Sequence, residues 1–143
     1  MTEPGRGPAA YFHVDQLDWA DDRASGTIPA EMLEEAARRG GGGRKHLATG
    51  ESGFWSTWST MPAGYTMPLH RHDDDEMVVV LDGGCTMAAD GVTLEAHDSM
   101  VLPAGVVHGF TCGPTGMTLL TIARRAYRTE LVEPASGAPP PRR

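Results

Sequence analysis

From Phe54 onward the chain alternates short apolar runs with glycine, proline and aspartate. Phe54–Met61, Thr66–His72, Glu76–Leu81, Cys85–Ala89, Val92–Ala96, Ser99–Leu102, Val107–Cys112 and Met117–Ala123 are each strand-length and bounded by such residues. Runs of this kind predict antiparallel strands in a sandwich or barrel, an all-β fold. Asp90-Gly91 has the form of a two-residue type I′ hairpin turn, and Gly83-Gly84 predicts another tight reversal. The region before it follows a helical period. In Pro29–Arg39, Met32, Leu33, Ala36 and Ala37 share one face, and Pro29 suits a first turn. Glu34/Arg38 and Glu35/Arg39 are spaced for ion pairs along that helix. Gly40–Gly43 then stops it and predicts a flexible joint. The expected architecture is one short N-terminal helix ahead of an antiparallel β-structure, with no repeat of fixed period.

Length and composition narrow the function. A chain of 143 residues fits one domain. Its Gly/Pro-rich ends suggest a disordered N-terminus over 1–10 and a Pro-rich tail over 131–143, flanking an extension over 11–45 and the β-domain over 46–130. The formal net charge of −7 repels phosphate backbones and anionic lipid, so neither nucleic acid nor a membrane is the expected partner. No apolar run approaches the roughly 20 residues that span a bilayer. Residues 1–10 also lack the apolar core of an export signal. Cys85 and Cys112 then read as free thiols in the cytoplasm. The expected partner is a small molecule.

The chemistry concentrates in Gly64–Gly83. On a strand, side chains alternate faces, so His70 and His72 point the same way. A turn through Asp73–Asp75 returns the chain, and Glu76 opens the next strand with a carboxylate that reaches the same space. Pro103-Ala-Gly105-Val-Val-His108 supplies a third imidazole. Three imidazoles and a carboxylate suit one divalent metal: Fe, Mn, Ni, Co or Zn. His97 beside Asp98 reads as a surface histidine, His13 and His46 belong to the extension, and His46 is a candidate to close over the pocket mouth. Asp73–Asp75 reads as a solvated loop.

This stretch resembles the first motif of the cupin family, G-x5-H-x-H-x3-E-x6-G, at Gly64, His70, His72, Glu76 and Gly83. The second cupin motif, G-x5-P-x-G-x2-H-x3-N, is matched at Pro103, Gly105 and His108; His97 stands where Gly is usual and Cys112 where Asn is usual. The resemblance covers roughly Gly53–Ala123. It implies a cupin β-barrel, a jelly-roll-like antiparallel sandwich, with the metal held by His70, His72, Glu76 and His108 and a homodimer as assembly. In such a dimer the extension Tyr11–Arg39 could pack on a neighbouring subunit.

Strand parity fills in the pocket. Val78 and Val80 follow Glu76 inward, Phe110 and Cys112 follow His108, and Trp58 is preferred over Trp55 as an aromatic wall. Small cupins of this kind resemble quercetinase-type dioxygenases and cupin polyketide cyclases. The expected function is dioxygen-dependent tailoring of a small aromatic or polyketide-like metabolite, with Glu76 as the acid–base group. A Zn-dependent cyclase or isomerase and a non-catalytic metal or ligand sensor are the alternatives.

Overall fold

A computed structural model describes residues 7–132. The N-terminus read as disordered and the Pro-rich tail therefore lie largely outside the described residues. Two short helices, α1 (Asp22–Ser25) and α2 (Ala30–Arg38), precede eight strands: β1 (Gly43–Thr49), β2 (Trp55–Met61), β3 (Thr66–His72), β4 (Glu76–Met87), β5 (Thr93–Glu95), β6 (Ser99–Leu102), β7 (His108–Ala123) and β8 (Thr129–Leu131). All eight join one curled antiparallel sheet, in agreement with the expected all-β class. No helix among the described residues is long and apolar enough to cross a membrane.

The sixteen-residue β7 organises the sheet. It pairs with β4 along most of its length, with β3 near its start and with β2 near its end. The two runs predicted at Val107–Cys112 and Met117–Ala123 are thus one strand. Asp73–Asp75 is a corner rather than a hairpin, since β3 and β4 each pair with β7 and not with each other. It is also more than a solvated loop. Arg124 Nη2 donates to Asp74 at 2.8 Å and to Asp75 at 2.9 Å, and Asp75 accepts the Ala104 N–H at 2.8 Å.

Three turn predictions need correction. The Gly83-Gly84 pair makes no reversal; β4 runs straight through it, with register shifts against β7 on either side. Gly83 has φ +70°, and a Cβ there would strike the Gly116 carbonyl, so glycine permits both the bulge and the close approach. The β4–β5 connection is longer than a two-residue hairpin: Thr86 pairs with Thr93, and Met87 N–H donates to the Val92 carbonyl at 2.8 Å. Gly40–Gly43 is not wholly a joint. Gly43 begins β1 and lies under the Trp19 ring, where a Cβ would come within 2.7 Å.

Helix α2 matches the predicted span, but Glu35 serves both arginines, at 3.2 Å to Arg38 and 3.0 Å to Arg39, in place of the expected Glu34–Arg38 pair. Helix α1 went unforeseen; the Asp21 side chain caps it through the Ala24 N–H. The extension packs on its own sheet. Ala20 N–H donates to the Arg44 carbonyl at 2.7 Å, and Lys45 Nζ donates to the Val14 carbonyl at 2.8 Å. Lys45, only 8% exposed, lies 4.7 Å from the Trp19 ring centroid and 5.8 Å from that of Trp58. Two aromatic faces and a carbonyl stand in for water around that ammonium.

Candidate metal centre

Pleating and register assemble three imidazoles. His70 and His72 alternate to one side of β3, and His70 is paired directly with His108 on β7. Their ring centroids lie 4.1 Å apart, with His72 4.9 Å from His70 and 5.1 Å from His108. One ligand nitrogen from each ring falls within 4.8 Å of the others. Local backbone fixes the rings. His70 Nδ1–H donates to the Pro68 carbonyl at 2.7 Å and His108 Nδ1–H to the Val106 carbonyl at 3.1 Å, each two residues back. A carbonyl only accepts, so the proton sits on Nδ1 and the Nε2 lone pair is left for an ion. His72 Nδ1 is tied to the Thr129 hydroxyl at 3.1 Å.

Burial disfavours the charged form of His70 and His108. Desolvation holds His70 down to about 4, against the hydrogen bond to Pro68, and lowers His108 in the same way. Glu76 is buried, with Oε1 3.2 Å from His72 Nε2 and 3.8 Å from His108 Nε2. Burial would raise its pKa, but hydrogen bonding with His72 and Tyr127 and the neighbouring imidazoles outweigh that and bring it below the usual carboxylate range. Three imidazole nitrogens with an ionised carboxylate beside two of them fit a divalent cation. Glu76 approaches His72 and His108 and makes no such contact with His70, so the imidazoles form the primary cluster.

These groups open into a cavity of about 90 Å³. Val78 and Phe110 line it, as parity predicted. Three predicted pocket residues do not. Trp58 faces the opposite way, 5.9 Å from Trp19, because Thr57 and Ser59 are the inward residues of β2. Val80, at 1% exposure, and Cys112, at 3%, are packed in the core beyond the cavity wall. Cys112 is opposite Cys85, and burial pushes its thiol up to about 12, which leaves it an apolar filler. His46 is not at the mouth; its Nδ1 lies 3.2 Å from Thr57 Oγ1 and its ring packs on Trp55. His97 is exposed, as expected, with φ +80°, a left-handed conformation that explains why glycine is usual there.

Several lining residues were not anticipated. Tyr127 packs its ring 4.2 Å from His72 and sets its phenol against Glu76; burial, then the Glu76 charge, raise its pKa strongly. It lies in Arg124-Arg125-Ala-Tyr-Arg128, a segment with no periodicity to flag an inward side chain. Ile28 and Met32 close the cavity from the extension, and Arg44 enters from β1. A larger polar groove, lined by Arg71, Asp73, Arg128 and Glu130 among others, meets the cavity at His72 and Thr129.

Comparison with known proteins agrees with this geometry. Residues 57–122 match the family model described as the cupin domain. The chain carries a cupin domain. An RmlC-like cupin from Shewanella frigidimarina superposes with a TM-score of 0.60 at 24% identity, covering 83% of this chain and 93% of that one. An acetylacetone dioxygenase-like protein from Methylibium petroleiphilum gives 0.64 at 23% identity, over 97% and 90%. The polyketide cyclase RemF from Streptomyces resistomycificus gives 0.67 at 17% identity, over 90% and 88%. At such identities the likeness establishes the cupin fold. No curated protein sequence matches the chain.

Proposed function

We propose that this cupin is a metal-dependent enzyme that acts on a small enolisable or phenolic compound, with dioxygen-dependent cleavage as its reaction. The supporting observation is the convergence of His70, His72 and His108, with Glu76 at their side, on a largely apolar cavity. A divalent ion held there would act as a Lewis acid toward a substrate oxygen and, if redox-active, would give dioxygen an electron path. Glu76 is ionised and buried, so it can accept the proton of an enol or phenol within the cavity. Tyr127 orients that carboxylate. Phe110, Val78 and Leu102 exclude water and so strengthen the interactions of Glu76. The acetylacetone dioxygenase-like neighbour spans 97% of this chain, which favours β-dicarbonyl chemistry as the first assay.

The same base in the same cavity could serve non-oxidative cyclisation, and the likeness to RemF keeps that second activity in view. Protein loaded separately with Fe(II), Mn(II), Ni(II), Co(II) or Zn(II) should consume dioxygen in step with acetylacetone or a flavonol for at least one redox metal. Equal turnover of a poly-β-ketone mimic by the zinc form without dioxygen would overturn the oxidative assignment in favour of cyclisation. Tight ligand binding without turnover in either assay would make the protein a sensor.

A further inference from the structure

The residues of the extension that close the metal-centre cavity also border a second space. Beneath α2 lies a second chamber of about 100 Å³, lined by Leu33, Ala36 and Tyr65 among others. Met32, Met61, Arg44 and Ser59 border both chambers, and this shared boundary is the neck between them. Three of the inward residues of β1 and β2 near this neck are polar. Arg44 is paired in register with Ser59, and one row toward the metal end Thr57 is paired with Thr121. The remaining walls are chiefly apolar. A substrate that extends across this boundary would meet hydrogen-bonding groups along one side, partway along its length.

Arg44 is the only lysine or arginine bordering either chamber among the described residues, and its charge is already matched. Its Nε and Nη2 both donate to Asp22 Oδ1, at 2.9 Å and 2.6 Å. Both side chains are largely shielded, at 23% and 12% exposure. A guanidinium carries five N–H donors in a fixed fork, so Asp22 leaves three available. It also neutralises the site. A carboxylate arriving at Arg44 would become a second anion beside Asp22, competing with it for one guanidinium. A carbonyl or hydroxyl oxygen brings no charge and accepts the spare N–H groups.

We propose that Arg44 recognises an acceptor oxygen of an elongated, uncharged substrate with an apolar tail beneath α2, and that Asp22 makes the site reject carboxylates. The assignment deepens the metal-enzyme proposal by naming the substrate class, and rests on that proposal for the orientation of the substrate. It is tested with two probes of one shape, 3-phenylpropanamide and 3-phenylpropanoate, titrated calorimetrically into the zinc-free chain, where the carboxylate has no ion to coordinate. The amide should bind the wild type at least tenfold more tightly than the acid. In Asp22→Asn the acid should gain at least tenfold while the amide changes less than threefold. In Arg44→Met the amide should lose at least tenfold. Zinc uptake is measured separately for every protein, and the zinc-free comparison decides because Arg44 takes no part in the histidine cluster. Absence of zinc binding would sink the metal proposal alone; the zinc-free titrations would still judge Arg44. Equal affinity for the two probes, no binding of either, or affinities unmoved in Arg44→Met would overturn the assignment.

Discussion

The two ends of the cavity are built by different means. At the metal end each imidazole stands on a strand, in register with a neighbour, with its outer nitrogen tied to a carbonyl or hydroxyl a few residues away or on the adjoining strand. At the neck, Ile28 and Met32 come from a segment fastened by side chains: the Arg44–Asp22 pair and the bond from Tyr65 Oη to the Met32 carbonyl at 3.3 Å. A ladder fixes side-chain direction for many residues at once, whereas isolated fastenings can each be lost singly. The metal end is thus suited to hold a preorganised centre, and the neck to admit or refuse a ligand.

The largest effect should come from breaking the metal end. His72→Ala removes one nitrogen donor, and truncating a ligand costs more than the roughly 10- to 100-fold in affinity seen for partners one shell out. Metal content after dialysis should collapse while the far-ultraviolet circular dichroism keeps its β signature. Full metal retention would refute the cluster assignment. Thr129→Val, which removes only the partner of His72 Nδ1, should lower affinity about 10-fold.

Glu76 and Tyr127 separate holding the ion from moving the proton. Glu76→Gln keeps the shape but removes the base, so kcat should fall about 10²- to 10⁴-fold. Metal affinity should change far less than in His72→Ala, because the imidazoles form the cluster. Tyr127→Phe leaves the base in place but untethered, so kcat should fall by a smaller factor. Loss of metal from Glu76→Gln as complete as from His72→Ala would promote the carboxylate to an indispensable ligand.

Acid should act on the metal end of the ion-free protein. His70 takes up its proton near 6.5 when exposed and near 4 in the fold, because burial penalises the charged ring. Protonation thus favours the unfolded chain, so the contribution is complete above pH 6.5 and is lost as pH falls from there to about 4. The shift corresponds to about 3 kcal/mol at most. Urea midpoints of the metal-free protein should fall across that interval, and His70→Gln should flatten the fall.

Most of the metal end was legible in sequence because strand alternation and motif spacing act on the same residues. His70, His72 and Glu76 lie within seven positions, and a short turn carries His108 onto the neighbouring strand. The neck was not legible. Arg44 and Met32 border the cavity where the extension packs back on β1, a long-range contact with no periodic trace in the sequence. Trp58 was misassigned for the same reason. Without the extension a tryptophan is naturally placed inward, but Trp19 and Lys45 give it an outward partner, leaving the interior to Thr57 and Ser59. Gly83-Gly84 misled because glycine permits both turns and close strand crossings, and only the position of Gly116 decides between them.

The mildest prediction tests whether the two ends are independent. Trp19→Ala removes a ring packed 5.9 Å from Trp58 and within cation–π range of Lys45. The ring is 55% exposed, so the lost aromatic and cation–π contacts should cost only about 1 kcal/mol. Urea unfolding should show that decrement. The loosened extension should also weaken binding of the phenylpropanamide probe, since Ile28 and Met32 follow Trp19 in the chain and border the neck. Zinc affinity should stay within threefold of wild type, because no residue of the extension touches the ring-fixing hydrogen bonds of the three histidines. A loss of zinc affinity in proportion to the lost stability would mean that the extension helps shape the centre, and that the two ends of the cavity form one cooperative unit.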